Sequence, residues 1–186
     1  MAKTTSRFRY VLLLRGVNVG GHKKVPMADL KVMLAGLGFA NVRTLLNSGN
    51  AVFDAPRPSP PERLASTIES AIERTFGFSS RSFVLTSEEL DTVVTENTLA
   101  GGCDNPSRLM VAYYGSAADR GRVEPLTRQS WSPEALEVGS KAVYVWCPAG
   151  VLESELFDAV ARSLKSGVTT RNWATTSKLQ ALCREG

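Results

Sequence analysis

From Arg9 to Thr86 the chain changes its hydrophobic period in one order, strand, helix, strand, strand, helix, strand, and few folds accept that order. The first strand, "RYVLLLRG", is a continuous apolar run, which predicts burial on both faces of a sheet. A helix follows over 26–38, with Met27, Leu30, Leu34 and Leu37 at helical spacing, Pro26 in its first turn and Gly38 as its stop. Two short strands, 42–46 and 51–53, flank the turn "NSGN". A second helix spans 59–77, where Ser59 and Glu62 have capping-box spacing, Leu64, Ile68, Ile72 and Phe76 form the apolar stripe, and Gly77 ends the run. The strand 80–86 completes a ferredoxin-like plait, and a short helix after Thr86 extends it.

The second half repeats this order more loosely. "RLMVAYYG" reads as a strand, and 116–130 as a weak helix broken by Pro125. Residues 134–148 read as a hairpin turning at Gly139-Ser140. Residues 152–167 make an amphipathic helix on Leu152, Leu156, Val160 and Leu164, "VTTRNW" a short edge strand, and 175–183 a closing helix that Thr175 or Thr176 can cap. The polar, glycine-rich stretch "ENTLAGGCDNPS" separates the halves. The expected architecture is therefore α+β: two ferredoxin-like subdomains packed together, 1–98 with its extra short helix and 99–186 with its closing helix. They are expected to bury Leu12, Leu14, Val52, Val111 and Val145 jointly.

Composition sets the class. At 186 residues and 43% hydrophobic content the chain can build a real core. No apolar run approaches the ~20 residues that span a bilayer, and "MAKTTSRFRY" passes into a strand without a signal-peptide pattern. The chain reads as soluble and cytoplasmic, without a membrane partner. Three widely spaced cysteines and a single histidine, His22, argue against a disulfide framework or a zinc site, and the thiols are expected to stay reduced in or near the core. Charge is asymmetric: residues 1–50 hold eight Lys or Arg against one acid, Asp29, whereas the remainder is slightly acidic. Such a segment suits an anionic partner.

Three polar clusters carry the candidate chemistry. The first, "RGVNVGGHKKVP", leads from strand to helix. Gly20 and Gly21 permit close backbone approach or positive φ, Lys23 and Lys24 supply charge, and Val25 at the expected cap position leaves the helix amides open to an anion. It fits neither the Walker loop nor the Rossmann fingerprint. The second, "LNSGN", contributes Asn47 and Asn50. Antiparallel pairing sets the end of the first strand beside the start of the third, so Arg15 and Asn18 are expected to meet these asparagines on one rim. The third, "TTRNWATTSKL", offers Arg171 as an anion clamp and Trp173 as a stacking face or core filler.

The candidate ligand site is thus Arg15, Asn18, Gly20, Gly21, Lys23, Lys24, Asn47 and Asn50, with Arg171 joining if the second half folds over that rim. The competing account is structural: arginine and asparagines hold the turns while the lysines are merely solvated. No triad, metal cluster or cofactor motif is present in the sequence, so the catalytic residues and cofactor stay unassigned. The first strands lack the aromatic pattern of RNA-recognition sheets, which disfavours nucleic acid.

"LLRGVNVGGHKKVPMADLKVMLAGLGFANVRTLLNSGNAVF" together with "TTRNWATTSKL" resembles a bacterial family of unknown function, DUF1697. The motif falls on Arg15, Gly16, Asn18, Gly20, Gly21, Lys24, Pro26, Met27, on Asn47 to Asn50, and on Thr170 to Trp173 with Lys178. The resemblance implies two ferredoxin-like subdomains and no assigned activity. Members often have Lys-Asn where this chain has His22-Lys23, and Asn where it has Ala174, which argues against indispensable chemistry at His22 or at position 174. The functional expectation is binding of a small anionic or phosphorylated ligand by a monomer or weak dimer. The alternatives are an enzyme of unknown reaction type acting on a phosphorylated small molecule, or a weak nucleic-acid binder.

Overall fold

The computed structural model describes residues 8–185; the basic N-terminal stretch through Arg7, expected to carry no signal sequence, lies outside the described residues. The chain divides into two units. One runs up to Glu88 and takes back the segment from Leu182 onward; the other is Glu89–Ala181. The boundary expected at 98/99 coincides with a short 3₁₀ turn, Thr98–Gly102, some ten residues further along.

In the first unit the order is β1 (Phe8–Leu14), α1 (Met27–Gly36), β2 (Ala40–Leu45), β3 (Asn50–Ala55), α2 (Pro61–Phe76) and β4 (Ser82–Thr86). The sheet order is β2-β3-β1-β4 with every pair antiparallel, the ferredoxin-like topology. Tyr10, Leu12 and Leu14 share one side of the β1 pleat and pack with Phe53, Leu30 of α1 and Ile68 of α2. Val11 and Leu13 point to the opposite face and are equally buried, as the continuous apolar run requires. Leu12 and Leu14 thus belong to the first unit's own core, whereas Val145 belongs to the second's.

Capping departs from the sequence pattern. The N-cap of α2 is Pro60, with no side-chain cap bond. Ser59 is held elsewhere, its amide donating to the Tyr10 hydroxyl oxygen and its carbonyl accepting from that hydroxyl, both at 2.9 Å. Gly77 does end the helix, at φ 76° in the left-handed region that glycine tolerates.

The second unit contains most of α3 (Ser87–Glu96), then β5 (Leu109–Tyr114), α4 (Ala117–Val123), β6 (Ala135–Val138), β7 (Ala142–Trp146), α5 (Glu155–Leu164), β8 (Val168–Asn172) and most of α6 (Trp173–Arg184). Its sheet repeats the order, β6-β7-β5-β8, with β8 at the expected edge. Pro125 sits where α4 gives way to a 3₁₀ turn, Glu124–Arg128. Leu152, expected on the apolar stripe of α5, is 94% exposed because the helix starts only at Glu155, where Ser154 caps it by accepting from the Phe157 amide at 2.9 Å. Asn172, not a threonine, caps α6 through the Thr175 amide at 2.9 Å, while the Thr176 hydroxyl bonds to that of Tyr113.

The C-terminal end of α6 is tied to the first unit's sheet by a network that sequence patterning did not indicate. Arg9 binds both carboxylate oxygens of Asp54, its cross-strand partner, and also donates to the carbonyls of Cys183 and Glu185. All three cysteines are free thiols, Cys147 and Cys183 buried, and burial raises the Cys147 pKa. Among the described residues no helix is long and apolar enough to cross a membrane.

Candidate functional site

At the C-terminal end of β1 the chain makes a miniature hairpin. Val17 anchors it in the core at 2% exposure. The Asn18 amide donates to the Lys23 carbonyl at 3.1 Å, and the His22 amide to the Val19 carbonyl at 3.2 Å. Between them Gly20 and Gly21 have φ of 60° and 77°, the pair of positive angles that a two-residue primed turn demands. A side chain at either position would meet nothing within 4 Å, so turn geometry accounts for both glycines.

Asn18, itself at φ 57°, closes the loop. Its side-chain oxygen accepts from the Val25 amide at 2.8 Å, and its Nδ2 donates to the Val25 carbonyl at 2.9 Å and the Asn47 carbonyl at 2.6 Å. The carboxamide thereby substitutes for a missing strand partner. The strand-pairing expectation is met: Leu13 pairs with Asn50, the Leu14 amide donates to the Gly49 carbonyl, and the two loops share one rim.

The asparagines divide in role. Asn50 is fully buried and donates to the Leu45 carbonyl and Ser48 Oγ, so it builds the β2–β3 turn and offers little to a ligand. Asn47 is exposed, and only its backbone carbonyl takes part in the tie to Asn18. Gly49 proves indispensable to the packing, since a Cβ there would lie 2.7 Å from both Leu14 Cβ and Val17 Cγ2.

The cations are also not equivalent. Lys23 reaches back to the Ser79 carbonyl at 2.9 Å, with its ammonium 6.0 Å from the Phe78 ring centroid. Arg15 is exposed, its amide donating to the Arg81 carbonyl and its carbonyl accepting from Ser80 Oγ. This brings in a cation the sequence motifs did not suggest, Arg81, whose guanidinium lies 5.3 Å from the Phe83 ring. Its presence follows from β1–β4 pairing, which sets Leu14 opposite Ser82 and leaves no local signature.

Lys24 lines a cleft of about 440 Å³ with Asn18, Gly21, Val25, Pro26, Met27 and Asn47. The cleft lies at the foot of α1. Its N-cap is Pro26, one residue beyond the expected Val25, and no side chain caps the helix amides. Asp29 in the first turn already complements the helix dipole and opposes an anion placed beside it. A neighbouring cleft of about 510 Å³ between α2 and the start of β4 includes Arg81 but also Glu69 and Glu73, which suit it less to an anion.

Arg171 lies in the second unit, on β8. It is 8% exposed and donates to Thr169 Oγ1 at 3.0 Å and the Thr170 carbonyl at 2.8 Å. Burial lowers its pKa to about 10, with Tyr113 acting in the opposite direction. Among the described residues no group of three or more His, Cys, Asp or Glu side chains could hold a metal ion.

The family described as protein of unknown function (DUF1697) matches residues 8–144, a span that includes the whole rim and stops short of Arg171 and α6. The solved structure of a conserved bacterial protein from Streptococcus pneumoniae is similar with a TM-score of 0.78 at 24% identity, covering 96% of this chain and 100% of that one. That likeness supports the two-subdomain fold. No curated protein matches the chain.

Proposed function

Because the chain belongs to the DUF1697 family, whose function is unknown, its chemistry has to come from its own side chains, and we propose that it binds a small carboxylate or phosphate in the Lys24 cleft. One observation carries this: Lys24 and the exposed Asn47 line the same recess at the foot of a helix whose N-terminal amides have no side-chain acceptor. Lys24 supplies the charge and Asn47 an amide donor, while Asn18 positions both loops. Lys23, tethered to Ser79, contributes potential and not a contact.

Thermal-shift titration with inorganic phosphate, citrate, sugar phosphates, nucleotides and coenzyme A tests the proposal. Lys24→Ala is expected to weaken the best ligand about tenfold, the worth of one charge-assisted hydrogen bond, and to reduce the salt dependence. Stability should change by less than about 0.5 kcal/mol, since Lys24 is exposed. A variant that binds every probe as well as the parent, or a parent that binds none, overturns it.

A further inference from the structure

The rim carries a feature that a small anion leaves unused. Of the four strongly exposed large hydrophobic residues among those described, two sit here, Val19 at 68% and Leu46 at 53% exposure. They are the chain neighbours of Asn18 and Asn47, the residues that tie the two loops together. Leu46 is also at φ 56°, a left-handed conformation that asparagine or glycine adopts far more readily than leucine. Neither the backbone nor the core calls for leucine at that position. A residue that breaks two local rules without a structural return points to use at the surface.

The surroundings are cationic. Arg15, Lys23 and Lys24 all lie on the same two-loop rim, and Asp29 is the only acid in the first fifty residues. We infer that this rim is a docking surface for an acidic polypeptide segment carrying apolar side chains, a carboxylate meeting Lys24 within the positive potential of Arg15 and Lys23, and its apolar groups covering Val19 and Leu46. The inference rests on the anion-binding proposal for the same cleft and names the carrier of the anion. A free metabolite would satisfy Lys24 and leave the two apolar side chains in water, whereas a mixed acidic and apolar segment uses both. A lipid surface fits less well. None of the strongly exposed hydrophobics among the described residues is aromatic, and a flat headgroup layer makes no use of a recess of about 440 Å³.

The test is fluorescence anisotropy with an array of Glu/Asp peptides bearing one or two Leu, Ile, Val or Phe at varied spacing, beside a matched lysine array. The parent protein is compared with Val19→Ser/Leu46→Asn, a variant expected to stay folded because both positions are exposed and asparagine suits positive φ. Inorganic phosphate and citrate are followed in parallel by thermal shift, and vesicles of phosphatidylserine and phosphatidylcholine by sedimentation. Expected are salt-sensitive binding of acidic peptides only and a loss of about tenfold or more in the double variant, in the range of a truncated interface anchor. The phosphate response should be unchanged. Phosphate binding without any variant-sensitive peptide overturns the docking surface and leaves the anion site standing. Peptide binding without a response to phosphate or to citrate does the reverse. Vesicle binding lost in the double variant, with no peptide bound, assigns the surface to lipid and overturns the inference.

Discussion

Replacing Arg9 by alanine removes four hydrogen bonds from one side chain. Nε and Nη2 hold the two oxygens of Asp54 at 2.8 and 3.2 Å, and Nη1 donates to the carbonyls of Cys183 and Glu185 at 2.7 and 2.9 Å. Asp54 is 3% exposed, and the hydrogen bond to it raises the Arg9 pKa. In Arg9→Ala the Asp54 carboxylate keeps the Asn41 amide at 2.8 Å but loses its countercharge. Leaving one buried charge uncompensated costs about 3–5 kcal/mol, and the lower end applies because the Arg9 side chain is 15% exposed and water can partly replace it. A loss of about 3 kcal/mol in a chain of this size lowers Tm by roughly 6–12 °C. Thermal unfolding of Arg9→Ala, Asp54→Ala and the double variant measures it. The double variant should be more stable than the sum of the singles predicts, since it leaves no orphaned charge. Amide exchange near Cys183 should accelerate in Arg9→Ala and in the double variant, and less in Asp54→Ala, which keeps the Arg9 bonds to the Cys183 and Glu185 carbonyls. Additive losses, or a single loss below about 1 kcal/mol, would refute the reasoning.

Two further outcomes are expected. Gly49→Ala combines a positive φ of 76° with a Cβ 2.7 Å from Leu14 and Val17, and should cost about 2–4 kcal/mol in urea unfolding; a cost equal to that of Gly20→Ala, where only φ is at issue, would show that the packing yields. Alkali should unfold the protein early. Burial raises the phenol pKa of Tyr113 and Tyr144 and takes Tyr114 to about 12, so above the unfolded value near 10 each tyrosine keeps a proton that the unfolded chain has lost. Stability is therefore full below pH 10 and falls by about 1.4 kcal/mol per pH unit per tyrosine above it. Arg171, lowered to about 10, works in the opposite sense, because its burial cost is relieved as pH rises through its folded value. Three tyrosines outweigh one arginine, for a net fall of roughly 3 kcal/mol per unit, and stability that stays level from pH 9 to 11 contradicts the assignment.

Element order and topology were legible because they follow from hydrophobic period. β1 had to be a doubly buried strand, and the 3.6-residue stripe of α2 is seen in buried Leu64, Ile68 and Ile72 and partly buried Phe76. Helix starts were less legible, since several Ser, Thr, Asn and Pro residues compete within three positions and tertiary partners choose among them. Tyr10 captures Ser59 and Tyr113 captures Thr176, each from a distant strand, so the caps fall to Pro60 and Asn172. Leu152 fails for a related reason. Ser154 fixes where α5 begins, and a leucine upstream of the cap has no helical face to join.

At the site, the meeting of Asn18 with Asn47 followed from strand direction alone, while Arg81 and the Arg9–Asp54 pair depended on register between segments far apart in the chain. The asparagine-rich motif was ambiguous because the same carboxamide can close a turn or face a ligand. Its geometry separates the two uses. The carboxamides of Asn18 and Asn50 serve loop backbone and, at Asn50, the Ser48 hydroxyl as well; the two glycines of the turn answer to φ, and Lys23 is held by Ser79. A fold that needs these residues would keep them whether or not anything binds. Lys24, Asn47, Val19 and Leu46 are different, because no turn, cap or core contact accounts for their identity. Changes at these four positions should therefore alter binding while sparing stability, and changes at Asn18, Gly49 or Asn50 should do both together.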